Sequence, residues 1–256
     1  IGGNGTDFLD GQYGNDTYKI SLQGADNSSF INVYDSGDNF GDDLMQVEGT
    51  MYDDTFLLRK SSSSSGLSFV ALLNEAPNTE RINYWSLADG LGLERMLVSG
   101  LFGRDHFAVD DIGVEATLEG NEDPDTFQVG QLYNSARDIC ALEYNNVEAE
   151  DVFATIETTV GWLSDGINMP MTVYGGTGDD YFTVFHNKAV LSLFGEDGDD
   201  TFLIKAFALA GSKEPIRERT DVSGGAGVDL VQYAMNAPVN IDGGDGFDRV
   251  IVIGTE

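Results

Sequence analysis

One short string recurs along this chain and limits what it can fold into. It reads GGNGTD from Gly2, GGTGDD from Gly175, GGAGVD from Gly224 and GGDGFD from Gly243. Two more copies, from Gly11 and Gly195, lose only the second glycine. Weaker copies start at Ser36, Gly49, Gly100 and Gly120. The common form is G-G-x-G-x-D followed by an aromatic or aliphatic strand start. Its aspartates are Asp7, Asp16, Asp43, Asp54, Asp105, Asp125, Asp180, Asp200, Asp229 and Asp248. Several successive ones, such as Asp105 and Asp125, or Asp180 and Asp200, lie a regular coil's length apart. A fixed period of this kind marks a chain built from stacked units, each burying its apolar side against the next.

The residue types explain the spacing. Glycines permit a tight loop with positive φ and let backbone carbonyls converge. Each loop then offers carbonyl oxygens and one carboxylate, the hard donors that calcium takes six to eight at a time. One loop cannot fill that shell alone. Short strands flank the loops: 171–174 and 181–184, 190–193 and 201–204, 239–241 and 249–252. They are rich in β-branched and aromatic residues. One coil therefore reads strand, loop, strand, plain turn, with 187–189 and 236–238 as plain turns. Residues 42–131 keep the strands but degrade the loops. Tyr52 and Asp123 replace the third glycine in two copies, which counts against a cation there.

These strings resemble the haemolysin-type calcium-binding (RTX) nonapeptide repeats. The resemblance covers both ends of the chain well and the middle poorly. It implies an all-β, right-handed parallel β-helix or β-roll solenoid with irregular loop insertions. It also implies calcium ions held between stacked loops. The ligands carried over are Gly3, Gly5 and Asp7; Gly14 and Asp16; Asp43; Asp105; Gly176, Gly178 and Asp180; Gly198 and Asp200; Gly225, Gly227 and Asp229; and Gly244, Gly246 and Asp248. The expected organisation is a β-helix over 1–132, an irregular insertion over 133–168 and calcium-binding coils over 169–256.

Composition agrees. There are 44 acidic residues against 13 basic ones, a formal net charge of −31. Such a chain repels nucleic acid and anionic membrane surfaces, and repels itself until cations neutralise it. The single cysteine, Cys140, excludes an intrachain disulfide, and no apolar run is long enough to span a membrane. The sequence opens inside a motif, which reads as a piece of a longer chain. Three segments break the period. Residues 61–66 form a serine-rich loop. Residues 133–165, with Cys140 and Trp162, are expected to pack on the side of the rod. Residues 211–221 carry Lys213, Arg217 and Arg219, and read as a solvated loop or a contact for an acidic partner.

No H-E-x-x-H, G-x-S-x-G or phosphate-binding loop is present. The reading is therefore a calcium-binding extracellular structural segment, the stalk or spacer of a large secreted or cell-surface adhesin or matrix protein, and not an enzyme. Its expected partners are calcium, neighbouring repeats or identical chains, and a surface polysaccharide or another cell-surface protein. Two rival readings stand beside it. One is a self-assembling subunit of an extracellular filament or surface layer. The other is a β-helix enzyme acting on polysaccharide, for which Arg81, Arg95 and Arg104, with Tyr84, Trp85 and His106, would have to line one face.

Overall fold

The computed structural model describes residues 5–25, 27–37, 41–62, 66–74, 78–86, 92–138, 151–205, 219–235 and 237–254. Gly3, Cys140, Lys213 and Arg217 lie outside the described residues. Within them the chain is all-β. In chain order the first strands are β1 (Gly5–Leu9), β2 (Thr17–Ser21), β3 (Ser29–Val33), β4 (Leu44–Glu48), β5 (Thr55–Lys60), β6 (Leu67–Leu73) and β7 (Thr79–Trp85). Next come β8 (Arg95–Leu101), β9 (His106–Val109), β10 (Glu115–Glu122), β11 (Thr126–Val129), β12 (Leu132–Tyr133), β13 (Thr155–Thr158) and β14 (Gly161–Ser164). The last are β15 (Met171–Thr177), β16 (Tyr181–Val184), β17 (Leu191–Asp197), β18 (Thr201–Ile204), β19 (Thr220–Gly227), β20 (Leu230–Ala234), β21 (Val239–Gly246) and β22 (Arg249–Ile253).

Two large sheets hold most of them. The first has 11 strands in the order β1-β3-β7-β6-β5-β9-β11-β16-β18-β20-β22. The second has 8, in the order β2-β4-β8-β10-β15-β17-β19-β21, all parallel. Leaving aside the short strands β12–β14, the chain from β8 onward alternates between the two sheets. Neighbouring strands are in register, so that Phe107, Phe127, Phe182 and Phe202 fall in one row.

That row is the spine of the core. From Asp54 to Asp229 each motif aspartate is followed two residues later by a buried side chain, and in five consecutive rungs this is phenylalanine. Phe56, Phe107, Phe127, Phe182 and Phe202 stack face to face at 4.5–5.0 Å between ring centres. Each is at most 1% exposed. Burying one such ring contributes about 1.5–3 kcal/mol. Across the core the second sheet supplies Met96 and Val98, Met171 and Val173, and Leu191 and Leu193. Period-two alternation in both sheets turns every second side chain inward, as in β7 and β10.

One expectation fails in the middle. The strands at 67–72 and 81–85, expected to continue the parallel coils, instead make a meander. β6 runs antiparallel to both β5 and β7. The connections explain it. Residues 61–66 and 74–78 are too short for a parallel crossover, which needs a dozen residues or more. The first sheet consequently carries two extra strands, β5 and β6, between β7 and β9, while β8 and β10 stay adjacent in the second.

Strands β12, β14 and β13 form a separate antiparallel sheet. This segment lies against the outer side of the meander. Arg59 donates to Asp110 at 3.0 and 2.7 Å, and Tyr133 donates its hydroxyl to the same carboxylate at 2.7 Å. The Arg59 guanidinium lies 4.6 Å over the Phe153 ring, and Ser62 bonds the carbonyl of Val152. A charged pair this deep is stable because each partner is fully engaged.

Candidate functional site

From β8 onward, each G-x-x-x-x-D string is the connection that carries the chain from the second sheet to the first. The position after the first glycine has positive φ in each of these six strings, whatever its side chain: Leu101 (83°), Asn121 (81°), Glu196 (76°) and Gly225 (116°) among them. A non-glycine residue there is strained. The first glycine is required by contact. A Cβ on Gly195 would collide with Oδ2 of Asp200 and with the carbonyl oxygen of Gly224. Gly175 and Gly224 repeat the relation with Asp180 and Gly195, and with Asp229 and Gly243. The carboxylate oxygen of one loop and the carbonyl of the next thus converge on one gap.

The aspartates form a column. The N–H of Asp54 donates to Oδ1 of Asp105 at 2.8 Å, Asp105 to Asp125 at 2.7 Å, and Asp125 to Asp180 at 2.7 Å. Asp180 donates to Asp200 at 2.8 Å, Asp200 to Asp229 at 2.9 Å, and Asp229 to Asp248 at 3.1 Å. Every bond points the same way along the stack. The other oxygen, Oδ2, of Asp105, Asp125, Asp180, Asp200 and Asp229 is buried without a hydrogen-bond partner. These residues are only 1–2% exposed. Burial therefore raises their carboxyls, to about 8 for Asp125 and about 7 for Asp105, Asp180 and Asp200. The N–H bonds pull down and neighbouring carboxylates push up, both less strongly than burial.

An orphaned buried acceptor costs about 1–3 kcal/mol. Five in a row, each beside a glycine carbonyl, are oxygen donors of the hard type that calcium takes. The rung at Asp54 differs. Thr50 donates its N–H to Oδ2 at 2.6 Å and its hydroxyl to Oδ1 at 3.0 Å, so this carboxylate is satisfied by protein alone.

The predicted ligands divide accordingly. Asp105, Asp180, Asp200, Asp229 and Asp248 share the column, joined by Asp125. Gly178, Gly198, Gly227 and Gly246 abut backbone atoms of the preceding coil, as do Gly176, Gly225 and Gly244, so a Cβ added at any of these seven would strike the neighbouring coil. Asp7 lies within β1, beside Ile31, and Gly5 has nothing near its Cα that a side chain would strike.

Gly14, Asp16 and Asp43 belong elsewhere. Their loops lead from the first sheet to the second, at the opposite edge. There the carboxylate oxygens of Asp16, Asp35 and Asp43 lie within 4.8 Å of one another. Asp16 N–H donates to Asp43 at 2.7 Å, Asp43 N–H to Glu94 at 2.7 Å, and the Tyr18 hydroxyl to Asp35 at 2.7 Å. Oδ2 of Asp16 has no partner. Burial first, and then the charges of Asp35 and Asp16, raise Asp43. This cluster can hold a metal ion.

Asp35 and Glu94 were not expected. A local sign existed for Asp35, whose carboxylate caps Gly37 N–H at 2.7 Å in a D-x-G turn. Glu94 gives no such sign.

The residues required by the enzyme reading lie on different parts of the molecule. Arg81 sits 3.9 Å over the Phe69 ring, Tyr84 is buried, and Arg95 pairs with Asp42 at 2.7 Å on the second sheet. Trp85 meets Tyr34 edge-on at 5.8 Å. Arg104 belongs to the loop between β8 and β9, and His106 opens β9.

Comparison with protein-family models, with curated proteins and with solved structures finds no match to this chain.

Proposed function

We propose that this chain is a calcium-binding structural repeat segment, folded and stiffened by cations held between stacked G-G-x-G-x-D loops. The observation that carries this reading is the run of five buried aspartates, each with one oxygen bonded to the neighbouring coil and the other unpartnered. Calcium is favoured over magnesium because the donors are carboxylates and backbone carbonyls in stacked loops. Magnesium prefers to keep its waters and demands a strict octahedron. The Asp16, Asp35 and Asp43 cluster is proposed as a second, separate cation site.

The alternating strand order supports a solenoid of the right-handed β-helix or β-roll kind, with residues 133–168 as an insertion between repeat regions 1–132 and 169–256. An acidic, calcium-dependent segment suits a secreted or cell-surface protein, where millimolar calcium lets sites with dissociation constants of about 10⁻⁴–10⁻³ M fill. Among the described residues no helix is long and apolar enough to cross a membrane.

The test is a calcium titration after chelation, followed by circular dichroism and thermal melting, with magnesium as control. A cooperative gain in β-structure and melting temperature with calcium supports the proposal. A melting curve indifferent to calcium from micromolar to 10 mM overturns it.

A further inference from the structure

We propose that the hollow around Tyr52 and Phe102 is a docking site for a basic side chain, lysine or arginine, presented by a partner protein. In the intact loops the third and fourth positions are small or polar: Thr177 and Gly178, Asp197 and Gly198, Ala226 and Gly227, Asp245 and Gly246. In the loops at Gly49 and Gly100 they are Met51 and Tyr52, and Phe102 and Gly103. The two loops abut, since a Cβ on Gly103 would press on the backbone of Tyr52 and Asp53. Met51, Tyr52 and Phe102 are 56%, 78% and 39% exposed. With Asp53 and Asp123 they line an open hollow of about 610 Å³, within the usual size of a ligand site.

The loop at Gly49 has no cation to hold, because Thr50 already satisfies Asp54. Its exposed apolar residues therefore stand outside the cation chemistry. The hollow is acidic as well as apolar. Asp53 accepts the Arg104 backbone N–H at 2.9 Å, and Asp123 the Gly103 N–H at 3.3 Å. Neither forms an ion pair among the described residues. A basic side chain meets all of these features together. Its alkyl stem covers Met51, its cation lies against an aromatic face, and its charge faces two carboxylates. A purely apolar partner leaves the carboxylates without counter-charge, and an anionic one is repelled by a chain of net charge −31.

The experiment uses the full chain at saturating calcium. Backbone amide shifts are followed by NMR while N-acetyl-lysine methylamide or its arginine counterpart is added. The norleucine analogue and methyl glucoside serve as controls. The expected result is a saturable shift confined to residues 50–53, 101–104 and 123, absent with norleucine. Tyr52→Ala should weaken it about threefold, as loss of an exposed cation–π contact does. Phe247→Ala, at another exposed ring elsewhere, should leave it unchanged. Equal shifts with norleucine or glucoside, shifts spread over all the acidic loops, no shift, or indifference to Tyr52→Ala each overturn the proposal.

Discussion

The two oxygens of Asp125 have opposite fates. Oδ1 accepts the Asp105 N–H, while Oδ2 is sealed in without a donor. The sealed oxygen makes the folded protein bind a proton more tightly than the unfolded chain does. The carboxyl titrates near 8 when folded and near 3.8 when exposed. Between those values the native state holds more protons, so stability falls as pH rises. In chelator, the melting temperature should decline from about pH 4 to about pH 8. Saturating calcium should remove most of that slope, because a cation takes the place of the protons. A flat profile in chelator would contradict the burial of these acids.

Asp200→Asn separates the two oxygens. The amide keeps an acceptor for the Asp180 N–H and places a donor near the glycine carbonyls. Cation-free stability should rise by about 1 kcal/mol, and the gain on adding calcium should shrink, read by the same melting curves. The aspartates themselves were legible from the repeat. Tyr52 in place of the third glycine already counted against a cation at the Asp54 rung; what the string could not convey was that Thr50 closes that rung, or that Asp125 joins the column although Asp123 replaces the same glycine.

At the level of strands, the stacked rings are the most exacting packing. Phe127 lies 4.9 Å from Phe107 and 5.0 Å from Phe182. Phe127→Ala opens a cavity within this row that its parallel, in-register neighbours cannot collapse to fill. A loss of about 3–5 kcal/mol is expected, measured by urea unfolding. The regular coils were readable because loop, strand and inward ring recur together. The meander was not read, although the brevity of residues 61–66 contains the reason. A short polar loop between two apolar runs favours a hairpin over a crossover, and periodicity alone does not register that difference. Glu94 escaped for a related cause: it serves Asp43 across a long separation in sequence, and no local pattern announces a partner that far away.

For the molecule as a whole, the arrangement is a series. Apart from the meander and the small sheet over it, each coil is bonded chiefly to the one before and the one after. The bonds that join coils lie along the stacking direction. A load applied at the C-terminal end would therefore break them one coil at a time rather than all together. The lengths released are set by the spacing of successive column aspartates: 19 residues from Asp229 to Asp248, 29 from Asp200, 20 from Asp180 and 55 from Asp125. At roughly 3.4 Å per residue, pulling should extend the chain in steps of roughly 65, 100, 70 and 190 Å, in that order. An optical trap would read that unequal sequence as a fingerprint. It would also show the stack of coils as a spooled tether that lengthens in measured instalments, and would test whether calcium, on the proposed reading, sets its brake.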